Sequence, residues 1–189
     1  MVNQKKKSFL FGLLGAATAA GMVMGATGVI STFVEKPAEA NAVVGDKYVR
    51  LTEMPEEGLS GEYLIVCMSD GFVFNGALDP IDVDPNTIKF DSIGDELDWS
   101  STLAAAAFNI QPYGNGYSIE TSNGTFLYYK GSSNSVATSG TAQENSITFN
   151  GQNVDIVYNG RALIYNSSSH RFRYYEDTTT SRSKKSPAL

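Results

Sequence analysis

The chain has 189 residues, with 14 Lys or Arg against 20 Asp or Glu, a formal charge of −6, one Cys and one His. One cysteine excludes an intramolecular disulfide and a thiolate metal cluster. An acidic balance is a poor match for nucleic acid, whose phosphates require a basic face, so no nucleic-acid partner is expected.

The first 42 residues differ in kind from the rest. Lys5, Lys6 and Lys7 precede an uncharged run from Ser8 to Val34, followed by Glu35, Lys36, Pro37 and the small-residue exit Ala40-Asn41-Ala42. A positive start, an apolar middle and a small-x-small exit are the parts of a Sec-type signal peptide, which predicts a secreted protein cut near Ala42. The run is also long enough to span a bilayer, which takes roughly 20 apolar residues, and Gly21 with Gly25 makes a small-xxx-small pair. A retained membrane anchor is therefore the alternative, with membrane contact confined to residues 8–34. No Cys follows the run and no Arg pair precedes it, so lipidation and twin-arginine export have no support. Residues 43–189 then suffice for one domain. Removing Lys5, Lys6, Lys7 and Lys36 from the 14 cations, and Glu35 and Glu39 from the 20 acids, leaves 10 against 18, a formal charge of −8.

Along residues 43–189, short alternating apolar runs recur and amphipathic helical periodicity is nearly absent. Strands are predicted at 63–68, 71–76, 87–90, 108–110, 117–120, 126–130, 146–149, 154–158, 161–165 and 171–175. The linkers carry Asp70-Gly71, Asn75-Gly76, Asn123-Gly124, Asn150-Gly151 and Asn159-Gly160, pairs that supply the positive backbone angles of tight hairpins. The exception is "DWSSTLAAAAF", where Asp98 or Ser100 can cap a short helix over Thr102–Ala107. Three segments, "IVCMSDGFVF", "IETSNGTFLYY" and "IVYNGRALIY", repeat one pattern of Ile, Asn or Asp near a Gly, and an apolar run. Each is a hairpin whose apolar face cannot be buried alone. The prediction is an all-β domain, a small closed barrel of β-trefoil-like hairpin repeats with one short helix, with a less symmetric barrel or a sandwich as the alternative.

The candidates for chemistry are few. Cys67 lies in the apolar "YLIVCM", where an inert buried thiol is expected rather than a nucleophile paired with His170. Asp82-x-Asp84 with Asn86 has the alternate-oxygen character of a calcium loop, but no Gly or final Glu is in register, so neither metal nor cofactor is expected. The acidic segment 79–98 does offer paired carboxylates for glycoside hydrolysis, and a small hydrolase using Asp82, Asp84 and Asp91 is one alternative function. Ser167 to Ser169 beside His170 lack the nucleophile-elbow pattern, and catalysis is not expected. Asn123-Gly-Thr125 and Asn166-Ser-Ser168 match glycosylation sequons and read as turns.

Aromatics are the better candidates. Strand alternation in "RFRYYED" puts Phe172 and Tyr174 on one face and Arg171, Arg173 and Tyr175 on the other. The first face is predicted core and the second a contact strip, to which Tyr128 and Trp99 are added as ligand-binding candidates. Exposed Tyr and Arg suit carbohydrate and protein surfaces. The competing reading pairs Arg171 and Arg173 with acids of the N-terminal half and leaves Tyr175 covering a strand. The expected function is a secreted, non-enzymatic binding module for carbohydrate or a cell-surface protein. A membrane-tethered structural or adhesion domain is the alternative.

"LSGEYLIV", "FNGALD", "AAAAFNI", "GYSIETSNGTFL" and "HRFRYYED" together give the chain a resemblance to a family. It resembles small β-rich domains of unassigned function in secreted proteins of gut bacteria, frequently at the C-terminus of larger extracellular chains. The likeness runs from Tyr48 to the end and brings no catalytic residues. It implies one further apolar strand where this sequence has "KSPAL", and hence a slightly truncated chain.

Overall fold

Asn-Gly and Asp-Gly punctuation divides the domain into short segments, and a computed structural model describes residues 47–91, 94–131, 133–176 and 184–189. The predicted signal or anchor at 1–42 lies outside the described residues. In chain order the elements are β1 (Lys47–Val49), β2 (Gly61–Tyr63), β3 (Val66–Cys67), β4 (Phe72–Phe74), β5 (Thr87–Lys89), β6 (Glu96–Asp98) and the helix α1 (Ser101–Ala106). There follow β7 (Phe108–Tyr113), β8 (Gly116–Glu120), β9 (Phe126–Tyr128), β10 (Ala137–Ser139), β11 (Ser146–Asn150), β12 (Asn153–Tyr158), β13 (Arg161–Asn166), β14 (Arg171–Tyr175) and β15 (Lys184–Lys185). No described helix is long and apolar enough to cross a membrane.

The domain is all-β with one short helix, as predicted. The strands form four sheets: β1-β6; β10-β9-β8-β7-β2; β3-β4-β5; and β11-β12-β13-β14, with β15 added to β13. The three repeat hairpins are present, turning at Gly71, Gly124 and Gly160 with φ of 70°, 75° and 73°. At the last of them Asn159 also has positive φ, 48°, and Tyr158 faces Arg161 across a two-residue turn, the geometry Asn-Gly favours.

Among the described residues the expected closed barrel is not found. Each repeat hairpin belongs to a different sheet, and β3 and β4 are two and three residues long where β12 and β13 have six. Each hairpin pairs within its own sheet, so no single ladder of the described strands runs round a common axis. Instead, isolated bridges clasp the sheets to one another: Val66 with Ala188, Tyr117 with Asn145, and Ser135 with Tyr174. Asn75-Gly76 is not a hairpin turn either. The Asn75 side chain accepts from Ala77 N at 3.1 Å, and Gly76 N donates to Ala106 O at 3.0 Å, where the helix ends.

Ser100 is the helix cap, its Oγ accepting from Leu103 N at 3.2 Å. The helix buries Leu103 and Ala106 and gives way at Ala107, whose backbone is extended, to β7. The main core draws on every sheet except β1-β6. Phe74 packs on Phe108 and Phe172 at 5.0 and 5.1 Å between ring centres, and Phe172 on Tyr165 at 5.2 Å. A second cluster of Leu64, Val66, Val73, Phe90, Leu97 and Leu103 lies under the helix.

Tyr174 is fully buried and donates to Asn145 Oδ1 at 2.6 Å. Burial, with a smaller contribution from Tyr158, pushes its hydroxyl well above the ordinary tyrosine value. The unfolded chain releases this proton near pH 10 and the folded chain retains it. The stabilisation is therefore complete below about pH 10 and falls by about 1.4 kcal/mol per pH unit above it. Urea unfolding between about pH 9 and 11 should show that slope, and Tyr174→Phe should make it shallower while costing about 1 kcal/mol at neutral pH.

Candidate functional site

The predicted strip on β14 is built as the alternation requires but is not open. Phe172 and Tyr174 point inward and are fully buried. Tyr175, expected to face solvent, is only 3% exposed and packs with Ala162 and Ile164, beside Val157. Arg171 ion-pairs with Asp84. Arg173 Nε lies 2.5 Å from Asp82 Oδ1 and its Nη2 lies 3.7 Å from Asp84 Oδ1. Lys130 approaches Asp82 at 3.9 Å. Both arginine side chains are about four-fifths buried, so the strip is a docking face for the acidic segment.

The match is one of spacing: Asp82-x-Asp84 meets Arg171-x-Arg173, each pair two residues apart. Burial opposes the charge on Arg171, but the Tyr175 hydroxyl and Asp84 outweigh it and hold the guanidinium above its ordinary value. Asn86 locks the same segment to β14, and Thr87 Oγ1 donates to His170 O at 2.8 Å. The bonds Asp79–Pro80 and Asp84–Pro85, which flank the two acids, are both cis.

Two of the three acids named for hydrolysis, Asp82 and Asp84, are thus bound to arginines, and Asp91 is not in that cluster. Among the described residues no group of three or more His, Cys, Asp or Glu is placed to hold a metal ion. Cys67 is buried, and burial pushes its thiol upward while Ser69 Oγ at 3.5 Å opposes the shift. The His170 ring meets the Tyr165 hydroxyl at 3.0 Å and lies tilted against Phe72, 4.7 Å between ring centres.

Tyr128 is half-buried, its ring edge-on to Tyr158 at 6.1 Å. Its chain neighbour Tyr129 is buried in the main core. Only Trp99, among the five predicted residues, is openly exposed, at 42%. It stands between Asp98, the last residue of β6, and the cap Ser100. Both neighbours line a cleft of about 260 Å³. The cleft floor is apolar, made by Ile88, Phe90, Leu97 and Leu103, and its rim is Lys89, Asp91, Asp98, Ser100 and Thr102. Lys47 holds the neighbouring acids, 2.7 Å from Glu96 and 3.9 Å from Asp98.

The predicted site residues therefore fall on three elements: Trp99 on the β6–α1 joint, Tyr128 on β9, and the arginine face on β14. Sequence reasoning found Trp99 but missed the adjoining cleft rim of Lys89, Asp98 and Thr102. Their common edge is made where β5, β6 and α1 meet, and nothing in the local pattern announces that meeting. Compared with known protein families, with curated proteins and with solved structures, the chain matches none.

Proposed function

We propose that this domain is a secreted, non-enzymatic binding module that takes carbohydrate at the cleft beside Trp99. The carrying observation is an exposed indole set between two residues that line a cleft with an apolar floor and a polar rim. An aromatic face covers the C–H face of a sugar ring, while carboxylate, ammonium and hydroxyl groups at the edge meet its hydroxyls. The cleft is somewhat smaller than the roughly 300–1,000 Å³ of sites that enclose a drug-sized ligand. That size suits one terminal ring of a longer glycan. The lysine run, apolar stretch and Ala40-Asn41-Ala42 exit support export, and the resemblance to secreted β-rich domains agrees with it.

A glycan array with the purified protein tests this reading. Binding to a defined class of glycans is expected, and Trp99→Ala should weaken Kd at least about tenfold. Trp99 is exposed, so the thermal transition should stay in place. Absence of binding across the array, or equal binding by Trp99→Ala, would refute the proposal. N-terminal sequencing of the exported protein separates secretion from tethering. A start at Val43 is the secreted outcome, and a retained apolar run is the membrane-anchored one.

A further inference from the structure

A second concavity lies on the outer face of β11, β12 and β13, on elements other than those that carry Trp99. It is an open groove of about 980 Å³, walled by Arg50, by Met68 and Ser69, and by Lys185 and Ser186. Strand alternation sets its floor. Val154 and Ile156 of β12 and Ile147 of β11 point into the core, so Thr148, Asn150, Asn153 and Asp155 point the other way, into the groove. The register places Thr148 opposite Asp155 and Asn150 opposite Asn153.

The charged groups of the walls are paired, although Arg50 Nε is buried without a partner. Arg50 Nη1 lies 3.3 Å from Asp95 Oδ1, its Nη2 donates to the Gln152 carbonyl, and Lys185 ion-pairs with Asp70. The floor is different. Among the described residues, the side chains of Thr148, Asn150, Asn153 and Asp155 form no hydrogen bond or ion pair. A polar outer face is ordinary for an antiparallel sheet. Here Thr148, Asn150 and Asn153 are exposed and Asp155 is half-buried, and their unengaged acceptors and donors run along two paired strands beside the apolar Val157, Ala162 and Ile164 that also line the groove. The one unpaired charge on the floor is negative.

We infer that this groove binds an extended, uncharged oligosaccharide. The Asp155 carboxylate accepts from ring hydroxyls, and the Asn150 and Asn153 amides and the Thr148 hydroxyl follow neighbouring rings. A carboxylate can accept two hydroxyl protons at once, and an amide both donates and accepts, which matches the alternating demands of a polyol. The volume is at the upper end for a drug-sized ligand, enough for several rings. Negative charge on Asp155 disfavours uronic-acid chains. The inference shares the ligand class proposed above but uses a different site.

The test is a titration of the ¹⁵N-labelled protein, followed by its Asn side-chain amide signals. The probes are the linear β-1,4-linked hexasaccharides of glucose, mannose and N-acetylglucosamine, the α-1,4-linked hexasaccharide of glucose, and hexagalacturonate as the charged control. The Asn150 and Asn153 amides should shift with at least one neutral probe and not with hexagalacturonate. Asp155→Asn, which keeps the side chain's shape, should weaken that Kd at least about tenfold with the rest of the spectrum unchanged. Should the Asn variant alter the wider spectrum, Thr148→Val provides the same test from the opposite strand. Trp99→Ala should leave the groove shifts in place, so loss of array binding and loss of groove binding are separately visible. The inference falls if no neutral probe moves these amides, or if hexagalacturonate moves them equally. It falls too if the Asp155 and Thr148 variants bind as the parent does, or if Trp99→Ala abolishes the shifts.

Discussion

Asn86→Ala should destabilise the domain by about 3–5 kcal/mol, out of the 5–15 kcal/mol typical of a whole domain. Asn86 is fully buried, and its side chain acts as a missing strand. Its Oδ1 accepts from Phe172 N at 2.8 Å, and its Nδ2 donates to Phe172 O at 2.9 Å and to Ile81 O at 3.2 Å. β14 pairs with β13 along one edge only. On the other edge Tyr174 N donates to Ser135 O at 3.0 Å, and Asn86 serves Phe172. Alanine leaves a buried N–H and two carbonyls unanswered, each costing about 1–3 kcal/mol. Asn86→Asp keeps the outline but removes the donor and puts a charge in the core, so it should be at least as damaging. Thermal and urea unfolding should show a fall in Tm of roughly 10 °C or more. A loss below about 1 kcal/mol would mean that water replaces the amide and that the edge is less closed than its burial indicates.

Gly116→Ala is the second large effect, about 3 kcal/mol. A Cβ at this position would sit 3.1 Å from the carbonyl carbon of Asn145 and closer still to its oxygen. Relief requires Asn145 to move, and Asn145 is held on several sides. Its backbone exchanges two hydrogen bonds with Tyr117, both 2.8 Å. Its side chain accepts from Tyr174 Oη and donates to Leu127 O and Gln143 O. The methyl therefore strains the bridge between the β8 sheet and the entry to β11. The partner variant Asn145→Ala loosens that anchor at its own cost. The two substitutions should then be less than additive, by roughly 1 kcal/mol or more in a double-mutant cycle. Full additivity would show that the strain is relieved through β8 instead.

Local chemistry was the legible part of this protein. Asn159-Gly160 and Asp70-Gly71 turn where the sequence places them, because those residues accept positive φ regardless of what they pack against. Ser100 caps the helix for an equally local reason. The inward face of Phe172 and Tyr174 followed from period-two alternation. What alternation does not reveal is whether the opposite face meets water. Tyr175 and both arginines point outward from the core, yet Ala162, Ile164 and the acids of the cis-proline segment meet them there. The pairing of Asp84 with Arg171 spans 87 residues, a distance at which spacing alone offers too many partners. The closed barrel failed for a related reason. Repeated turns specify hairpins, but strand length and the clasping bridges decide which sheet each hairpin joins. Trp99 was legible as an aromatic among acids, while its cleft was not, since β5, β6 and the helix supply the walls separately.

The clasps that unite the four sheets also bear on how the chain reaches this state. Ser135 pairs with Tyr174, Asn86 finds Phe172 across 86 residues, and Val66 pairs with Ala188. Each of these joins requires a long stretch of chain to be gathered before any of its contacts can form. Folding rates fall steeply as the average separation between touching residues rises. The domain should therefore close in milliseconds to seconds rather than microseconds, and a newly made chain stays extended for longer than a helical bundle of equal length.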